Sequence, residues 1–110
     1  MPLERFITVA IQLAKKSNMM HKHGAVLIYR NKIVGRGYNH YCKYRKNYDG
    51  RFKSIHAEVM AINNCPNQSI VSKCKLIVVR FVGGEMKLSL PCANCQKYLK
   101  KKKILTVYHS

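Results

Sequence analysis

Apolar residues recur every three or four positions at the start of the chain, which is the spacing of one face of an α-helix. They are Leu3, Phe6, Ile7, Ala10, Leu13 and Ala14. The pattern predicts an amphipathic helix over residues 3–16, and the polar pair Ser17-Asn18 ends it.

Short apolar runs predict the strands of a sheet. Residues 24–29 contain four consecutive aliphatic side chains, which is typical of a buried strand. A polar turn at 30–32 and a second extended segment at 33–38 complete a β-hairpin. Residues 75–82 and 104–108 predict two further strands.

Two later helices begin directly after loops. Residues 55–63 predict one of them, with Ser54 as its N-cap. The other runs from residue 92 to about 102, and Pro91 opens it because proline suits the first turn of a helix. Residues 39–54, between the hairpin and these helices, are predicted to be a polar, aromatic-rich loop.

The predicted order of elements is therefore α-β-β-α-β-α-β. A hairpin followed by β-α-β units predicts a layered α/β domain with a mixed sheet of about four strands. No internal repeat and no linker rich in Pro, Gly or Ser divides the 110 residues, so we expect a single domain over 1–110. The N-termini of the two later helices are expected to converge at one end of the sheet.

Each of these two helices begins with side chains that bind metals. His56 opens the first, and Cys92 and Cys95 share a face of the first turn of the second. One imidazole and two thiolates suit zinc and leave its fourth position for a water molecule, whose pKa falls to about 7 on the metal. Glu58 lies two residues past His56, where a carboxylate can carry protons between that water and a substrate. The spacing predicts a zinc site with Glu58 as its catalytic residue.

Two other interpretations of the same cysteines stay open. A closed structural zinc site would take a fourth ligand from a remaining cysteine, although none forms a second Cys-x-x-Cys pair. A redox-active thiol pair would account for Cys92 and Cys95 but would leave His56 and Glu58 without a role. The other cysteines are predicted to be small buried residues, and the other histidines to be structural or solvated. These are Cys42, Cys65, Cys74, His21, His23, His40 and His109.

The motif His-x-Glu followed by Pro-Cys-x-x-Cys resembles that of the cytidine/deoxycytidylate deaminase superfamily of zinc enzymes. The likeness covers nearly the whole chain, since residues 24–28 and 35–39 resemble the first two core strands of that family. The resemblance implies a three-layer α/β/α sandwich and one Zn²⁺ per chain, held by His56, Cys92 and Cys95. It also implies that Glu58 is the proton shuttle.

The resemblance further implies contacts with the substrate. Asn39 is expected to hydrogen-bond the base or the sugar, and the backbone of Ala57 to line the base pocket. Histidine as the first ligand, at His56, is similar to the deoxycytidylate, tRNA-adenosine and polynucleotide-editing branches. Many members continue with a further helix and strand, so we expect a C-terminally short version of the fold. A second copy, in a homo-oligomer, would cover the exposed sheet edge.

Charge changes the expected substrate. Twenty-one Lys and Arg against four acids give a formal net charge of +17, which favours binding to nucleic acid, with a merely solvated basic surface as the alternative. The 39–54 loop interleaves cations with aromatics, among them Tyr44, Arg45 and Phe52, which would hold phosphates and stack bases. The same aromatics would alternatively pack onto the domain.

These features predict a zinc-dependent hydrolytic deaminase of a nucleobase in a nucleic acid or nucleotide, with cytosine preferred over adenine. One alternative is a dCMP/CMP deaminase of free nucleotides, and another is a non-enzymatic, basic nucleic-acid-binding or structural protein on the same scaffold. The chain has no apolar run of about eighteen residues and no signal-peptide core. We therefore expect a soluble intracellular protein, in the cytoplasm or nucleus, of cellular or viral origin.

Overall fold

The structure is a computed structural model that describes residues 3–19, 21–46, 52–82, 85–88, 93–102 and 106–108. Its elements in chain order are α1 (Leu3–Ala14), β1 (Lys22–Tyr29), β2 (Lys32–Tyr38), β3 (His40–Lys46), β4 (Phe52–Ile55), α2 (Ala57–Asn63), a 3-10 helix (Gln68–Lys73), β5 (Lys75–Val82), β6 (Glu85–Leu88), α3 (Ala93–Lys101) and β7 (Thr106–Tyr108).

The main sheet has five strands in the described part of the chain. Four of them follow the order β2-β1-β5-β6, and β7 also pairs with β5. The four pair antiparallel, whereas β7 runs parallel to β5, so the predicted mixed sheet is confirmed. β1 pairs with one edge of β5. The other edge of β5 pairs with β6 at residues 79–82 and with β7 at residues 75–77. Of these five strands, β6 is the one that the sequence pattern did not predict.

Helices cover both faces of this sheet, as the three-layer prediction requires. Successive residues of a strand point to opposite faces, and the even-numbered residues of β1 pack against α1, where Val26 contacts the cluster around Phe6. The odd-numbered residues of β1 and the even-numbered residues of β5 face α2 and α3. Among them, Leu27 and Leu76 are fully buried with Ile62 of α2.

The turn between β1 and β2 matches its prediction. Arg30 and Asn31 both have positive φ, at 49° and 65°. Two consecutive left-handed residues make the two-residue turn whose twist fits the flanking strands of a hairpin. The β1–β2 hairpin is therefore closed tightly, and Gly35 and Gly37 of β2 lie opposite Leu27 and Ala25 of β1.

The region predicted as a loop between β2 and α2 contains two strands. β3 and β4 pair antiparallel in a separate two-stranded sheet, with His40 opposite Ile55 and Tyr41 opposite Ser54. The prediction of a loop over residues 39–54 is therefore wrong for both strands. The reason is that β3 mixes cations and aromatics without an apolar run, so it leaves no hydrophobic period to detect.

α2 begins two residues later than predicted. The extended pairing of β4 continues through Ile55, so Ser54 belongs to a strand and its assignment as N-cap is wrong. His56 takes the N-cap position with φ −80° and ψ 148°, and Ala57 is the first helical residue. The predicted ends of α1 and α3 differ from the observed ones by two residues or fewer.

β2 passes very close to the start of α2 at Gly37. A Cβ at this position would overlap the carbonyl oxygen of Ala57 and would lie 2.5 Å from the amide nitrogen of Ala61. Because only glycine leaves room for this approach, the first turn of α2 packs directly on the backbone of the strand. The contact fixes where the residues on either side of Ala57 lie relative to the sheet.

We expect Gly37→Ala to lower the free energy of unfolding by about 1–3 kcal/mol, because the added methyl group must push α2 away from β2. Arg36→Ala, at the neighbouring exposed position, is the matched control and should change stability by less than about 0.5 kcal/mol. Urea unfolding of the three proteins measures both values. Equal stability of the two variants would contradict the assigned contact.

Candidate metal and catalytic site

The first turn of α2 carries the His-x-Glu motif at the edge of the core. The carbonyl oxygen of His56 accepts a hydrogen bond from the Met60 N–H at 3.1 Å, which begins the helix. The His56 side chain is exposed, whereas Ala57 is fully buried and Glu58 is only 3% exposed. The turn therefore places an exposed imidazole and a buried carboxylate two residues apart.

A histidine of β1 lies close to this motif. Burial lowers the pKa of the half-buried His23 imidazole, and the Glu58 carboxylate acts in the opposite direction. Three neighbouring basic side chains lower the same pKa further: Arg80, His56 and His21. Because Glu58 and His56 both act on this imidazole, His23 lies in the neighbourhood of the motif, and its assignment as a structural or solvated residue stays a prediction.

A simple signal would have found His23. The strand predicted from the apolar run begins at Gly24, one residue too late to include it. Extending the alternation of β1 by two residues puts position 23 on the same face as Ala25 and Leu27, which is the face that α2 covers.

Asn39 connects the end of β2 to the start of β1. Its Oδ1 accepts a hydrogen bond from the His23 N–H at 2.7 Å, and its Nδ2 donates to the His21 carbonyl oxygen at 2.6 Å. The Asn39 N–H also donates to the His23 carbonyl oxygen at 3.2 Å. The side chain is 5% exposed, and it fixes the stretch of β1 that carries His23.

The second half of the predicted metal site begins α3. Cys95 lies in the first turn of this helix, while its side chain and the whole of Cys92 lie outside the described parts. Among the described side chains, no three metal-binding groups lie together. The thiols of Cys92 and Cys95 are outside the described set. α3 contacts α2, since the Tyr98 hydroxyl donates to Oδ1 of Asn63 at 3.1 Å.

Two other cysteines are buried, as predicted. Cys65 and Cys74 are each 3% exposed in the core below α2. The Cys74 thiol donates to the Ile70 carbonyl oxygen at 3.3 Å, and burial, with a smaller contribution from Cys65, raises its pKa to about 11. The Cys74 thiol therefore has a backbone acceptor inside the core.

The residues expected to hold phosphates and stack bases lie on the β3–β4 ribbon. Tyr44 and Arg45 belong to β3 and Phe52 to β4, and their side chains lie outside those that the structure describes. β4 ends at Ile55, so the ribbon leads directly into His56.

Comparison with known proteins identifies similar sequences and folds. Over residues 1–110 the chain matches the family described as "Cytidine and deoxycytidylate deaminase zinc-binding region". The structure of the dCMP deaminase from the cyanophage S-TIM5, in complex with dCMP and dUMP, is similar at a TM-score of 0.65 and 19% identity, covering 96% of this chain and 77% of that one. The cytidine deaminase from Mycobacterium tuberculosis is similar at a TM-score of 0.64 and 16% identity, covering 99% and 85%.

At these low identities, the structural likeness describes the fold. No curated protein matches the chain. In the described residues, no helix combines the length and apolar character that crossing a membrane requires. The single domain over residues 1–110, the intracellular location and a second copy at the sheet edge stay predictions.

We expect Asn39→Ala to lower the free energy of unfolding by about 1–3 kcal/mol, because the partly buried hydrogen bonds to the His23 N–H and the His21 carbonyl are lost. Asn18→Ala is the control, since the exposed Asn18 makes one hydrogen bond, from the Tyr41 N–H, and should cost less than about 1 kcal/mol. Thermal and urea unfolding measure the difference. If both variants lost the same small amount, Asn39 would not hold β1.

Proposed function

The chain belongs to the cytidine and deoxycytidylate deaminase zinc-binding family, and on that premise we propose that it deaminates cytosine in a phosphate-bearing substrate, a nucleic acid or a nucleotide. It is a zinc-dependent hydrolytic deaminase, and Zn²⁺ is its cofactor. The observation that carries the proposal is the burial of the Glu58 carboxylate in the first turn of α2, close to the imidazole of His23 and two residues from that of His56.

The donor set at the starts of α2 and α3 fits zinc. We assign the metal to His56, Cys92 and Cys95, because one imidazole and two thiolates are ligands that zinc prefers. The Tyr98–Asn63 hydrogen bond holds α3 against the last residue of α2, and we propose that the N-termini of the two helices converge on the metal. When bound, zinc supplies a Lewis acid that lowers the pKa of a water molecule and makes it nucleophilic near neutral pH.

Glu58 is the proposed proton carrier. Hydrolytic deamination needs a group that takes a proton from water, delivers one to the ring nitrogen and returns one to the departing amine. A carboxylate that is 3% exposed is shielded from bulk solvent, so it exchanges these protons within the site.

Asn39 and Ala57 are the proposed contacts with the nucleoside. The Asn39 carboxamide uses one N–H and one lone pair to hold β1, so it retains one of each for a ligand. Ala57 is the first residue of α2, where backbone N–H groups have no acceptor within the helix. Its N–H can therefore donate to an oxygen of the base.

Charge supports a substrate that carries phosphate. The formal net charge is +17, which attracts phosphate esters at long range. Tyr44, Arg45 and Phe52 belong to the ribbon that leads into His56, and we propose that they stack bases and hold phosphates beside the site. The similar cyanophage enzyme was solved with dCMP and dUMP, which are nucleotides.

We expect Glu58→Gln to lower kcat by about 10²- to 10⁴-fold, because the amide keeps the size of the side chain and cannot accept the proton. Ammonia release from a dC-containing oligonucleotide, from dCMP and from an A-containing RNA measures activity, with zinc content as a check on the site. Glu4→Gln, at an exposed position of α1, is the control and should keep the full rate. A zinc-loaded wild type that is as inert as Glu58→Gln on all three substrates would contradict the proposal.

A deaminase of free nucleotides is the second candidate, and the likeness to a dCMP-bound enzyme favours it. It predicts saturation by dCMP and indifference to oligonucleotides. A basic binding protein without activity predicts salt-sensitive association without turnover. Glu58 argues against that last alternative, since a binding protein has no use for a proton carrier.

A further inference from the structure

Exposed cations gather at the end of the main sheet that lies opposite the catalytic turn. β1 ends here at Tyr29, and Lys32 lies directly opposite Tyr29 where β2 begins. Lys75 begins β5 and lies opposite Ile28 of β1. Because neighbouring strands are about 4.8 Å apart, Lys32 and Lys75, on either side of β1, are separated by roughly 10 Å.

α1 begins at the same end of the sheet. Ala10, in the later part of this helix, packs on Gly24 near the start of β1. Near the beginning of the helix, the Arg5 guanidinium donates to the Asn31 carbonyl oxygen at 3.0 Å. The helix therefore runs antiparallel to β1, and it brings the exposed Arg5 to the turn between β1 and β2.

The last turn of α3 also lies toward this end. Thr106 lies opposite Lys75 in the parallel pair of β7 and β5, so β7 begins here. Lys102 precedes Thr106 by about four residues and therefore lies within about 14 Å of it. Lys100 and Lys101, in the last turn of α3, are both exposed.

Acidic residues are scarce around these cations. Glu58 lies in the catalytic turn, and Glu85 lies opposite Val82 at the far end of β5. Asp49 lies outside the described residues. Among the parts that the structure describes, Glu4 is the acid of this end. We give the name basic end to a set of exposed cations: Arg5, Arg30, Lys32, Lys75, Lys100 and Lys101.

Local backbone preferences do not explain two members of the basic end. Arg5 lies in the first turn of α1, where the helix dipole favours acids and disfavours cations. Arg30 has a φ of 49°, in the left-handed region that favours Gly and Asn over a side chain such as that of arginine. Since both positions carry positive charge against the preference of the fold, the charge itself indicates a role in binding.

Both guanidinium groups are held in place by the fold. Arg5 is fixed by its hydrogen bond to Asn31, and the Arg30 guanidinium lies over the Tyr29 ring, 5.2 Å from its centroid. Contact with a ring uses the face of a guanidinium, whereas its N–H donors lie in its plane and match the oxygens of a phosphate. Side chains that are already ordered lose less entropy on binding.

We propose that the basic end binds the phosphodiester backbone of a nucleic acid. The surface lies roughly 20 Å from the catalytic turn, the rise of about six residues of a strand, so it goes beyond the proposed function and needs no reaction at Glu58. An anionic membrane is the competing partner, and binding to it draws on apolar side chains that enter the interface. Among the described side chains, the exposed large hydrophobic residue is Tyr41, which belongs to β3 and not to the basic end.

The test measures binding of labelled oligo-dT by fluorescence anisotropy over a series of salt concentrations, because thymine has no amine to deaminate. Lys32→Gln/Lys75→Gln should weaken binding about tenfold at about 0.1 M salt. It should also make the slope of log K against log salt less steep by about 1.4, since each phosphate contact on a single strand contributes about 0.7.

A matched control separates the basic end from net charge. Lys15→Gln/Lys16→Gln removes the same charge from exposed positions just after α1, at the other end of that helix, and should leave both the affinity and the slope unchanged. An equal loss in the two double variants would reduce the binding to diffuse attraction and overturn the proposal.

Further variants separate charge from packing. Lys32→Arg/Lys75→Arg keeps both charges and should bind oligo-dT as the wild type does. Arg30→Asn suits the left-handed turn, so it should weaken binding about threefold without lowering the melting temperature. Weak binding by the double arginine variant, or an Arg30→Asn protein that loses stability and keeps its affinity, would assign these residues to folding and contradict the proposal.

Two last measurements identify the partner and the place of binding. If Lys32→Gln/Lys75→Gln lost affinity for phosphatidylserine vesicles and kept it for oligo-dT, the partner would be a membrane and the proposal would be wrong. Glu58→Gln should bind oligo-dT as the wild type does, whether or not the chain deaminates any substrate. Binding that depended on Glu58 would place the oligonucleotide at the catalytic turn and overturn the basic end as its surface.

Discussion

The close packing of α2 on β2 is the constraint on which the rest of the site depends. Gly37 leaves no Cβ between the strand and the Ala57 carbonyl, so the first turn of the helix lies directly on the sheet. His56 and Glu58 flank Ala57, and their places are therefore set by backbone contact rather than by flexible side chains. A rigid element of this kind holds reacting groups at fixed separations, which catalysis requires.

Hydrogen bonds of Asn39 fix the start of β1, the strand beside β2. Asn39 holds the first residues of β1 through its carboxamide, and this brings His23 to the edge of the catalytic turn. Glu58, His56 and Arg80 all act electrostatically on the His23 imidazole, so these side chains lie in one region of the molecule. We propose that Glu58 carries out proton transfer in this region.

Hydrophobic periodicity predicted the elements that build the core. α1 buries apolar residues at helical spacing, β1 and β5 bury runs of consecutive apolar residues, and residues 75–82 form the strand that was predicted there. β3 and β4 pair with each other outside the main sheet, and β6 has four residues that alternate polar and apolar. β3 is too polar, and the alternation in β4 and β6 is only four residues long, so the sequence alone did not identify these strands.

Local sequence patterns likewise predicted one part of the site and not the rest. The spacing of the His-x-Glu motif predicted a helix start, which the structure has, although the N-cap is His56 and not Ser54 because β4 extends farther than expected. The position of His23 opposite Arg80 depends on strand register. They are 57 positions apart in sequence (80 − 23), and no local pattern connects them.

The central claim is that the starts of α2 and α3 share one metal ion, and zinc content per chain tests it most directly. Elemental analysis of the purified protein should find about one zinc per chain in the wild type, in His21→Ala and in Cys65→Ala. It should find a large loss in His56→Ala, in Cys92→Ser and in Cys95→Ser, with circular dichroism as the check on folding. Zinc that persists at full stoichiometry in folded His56→Ala would contradict the account.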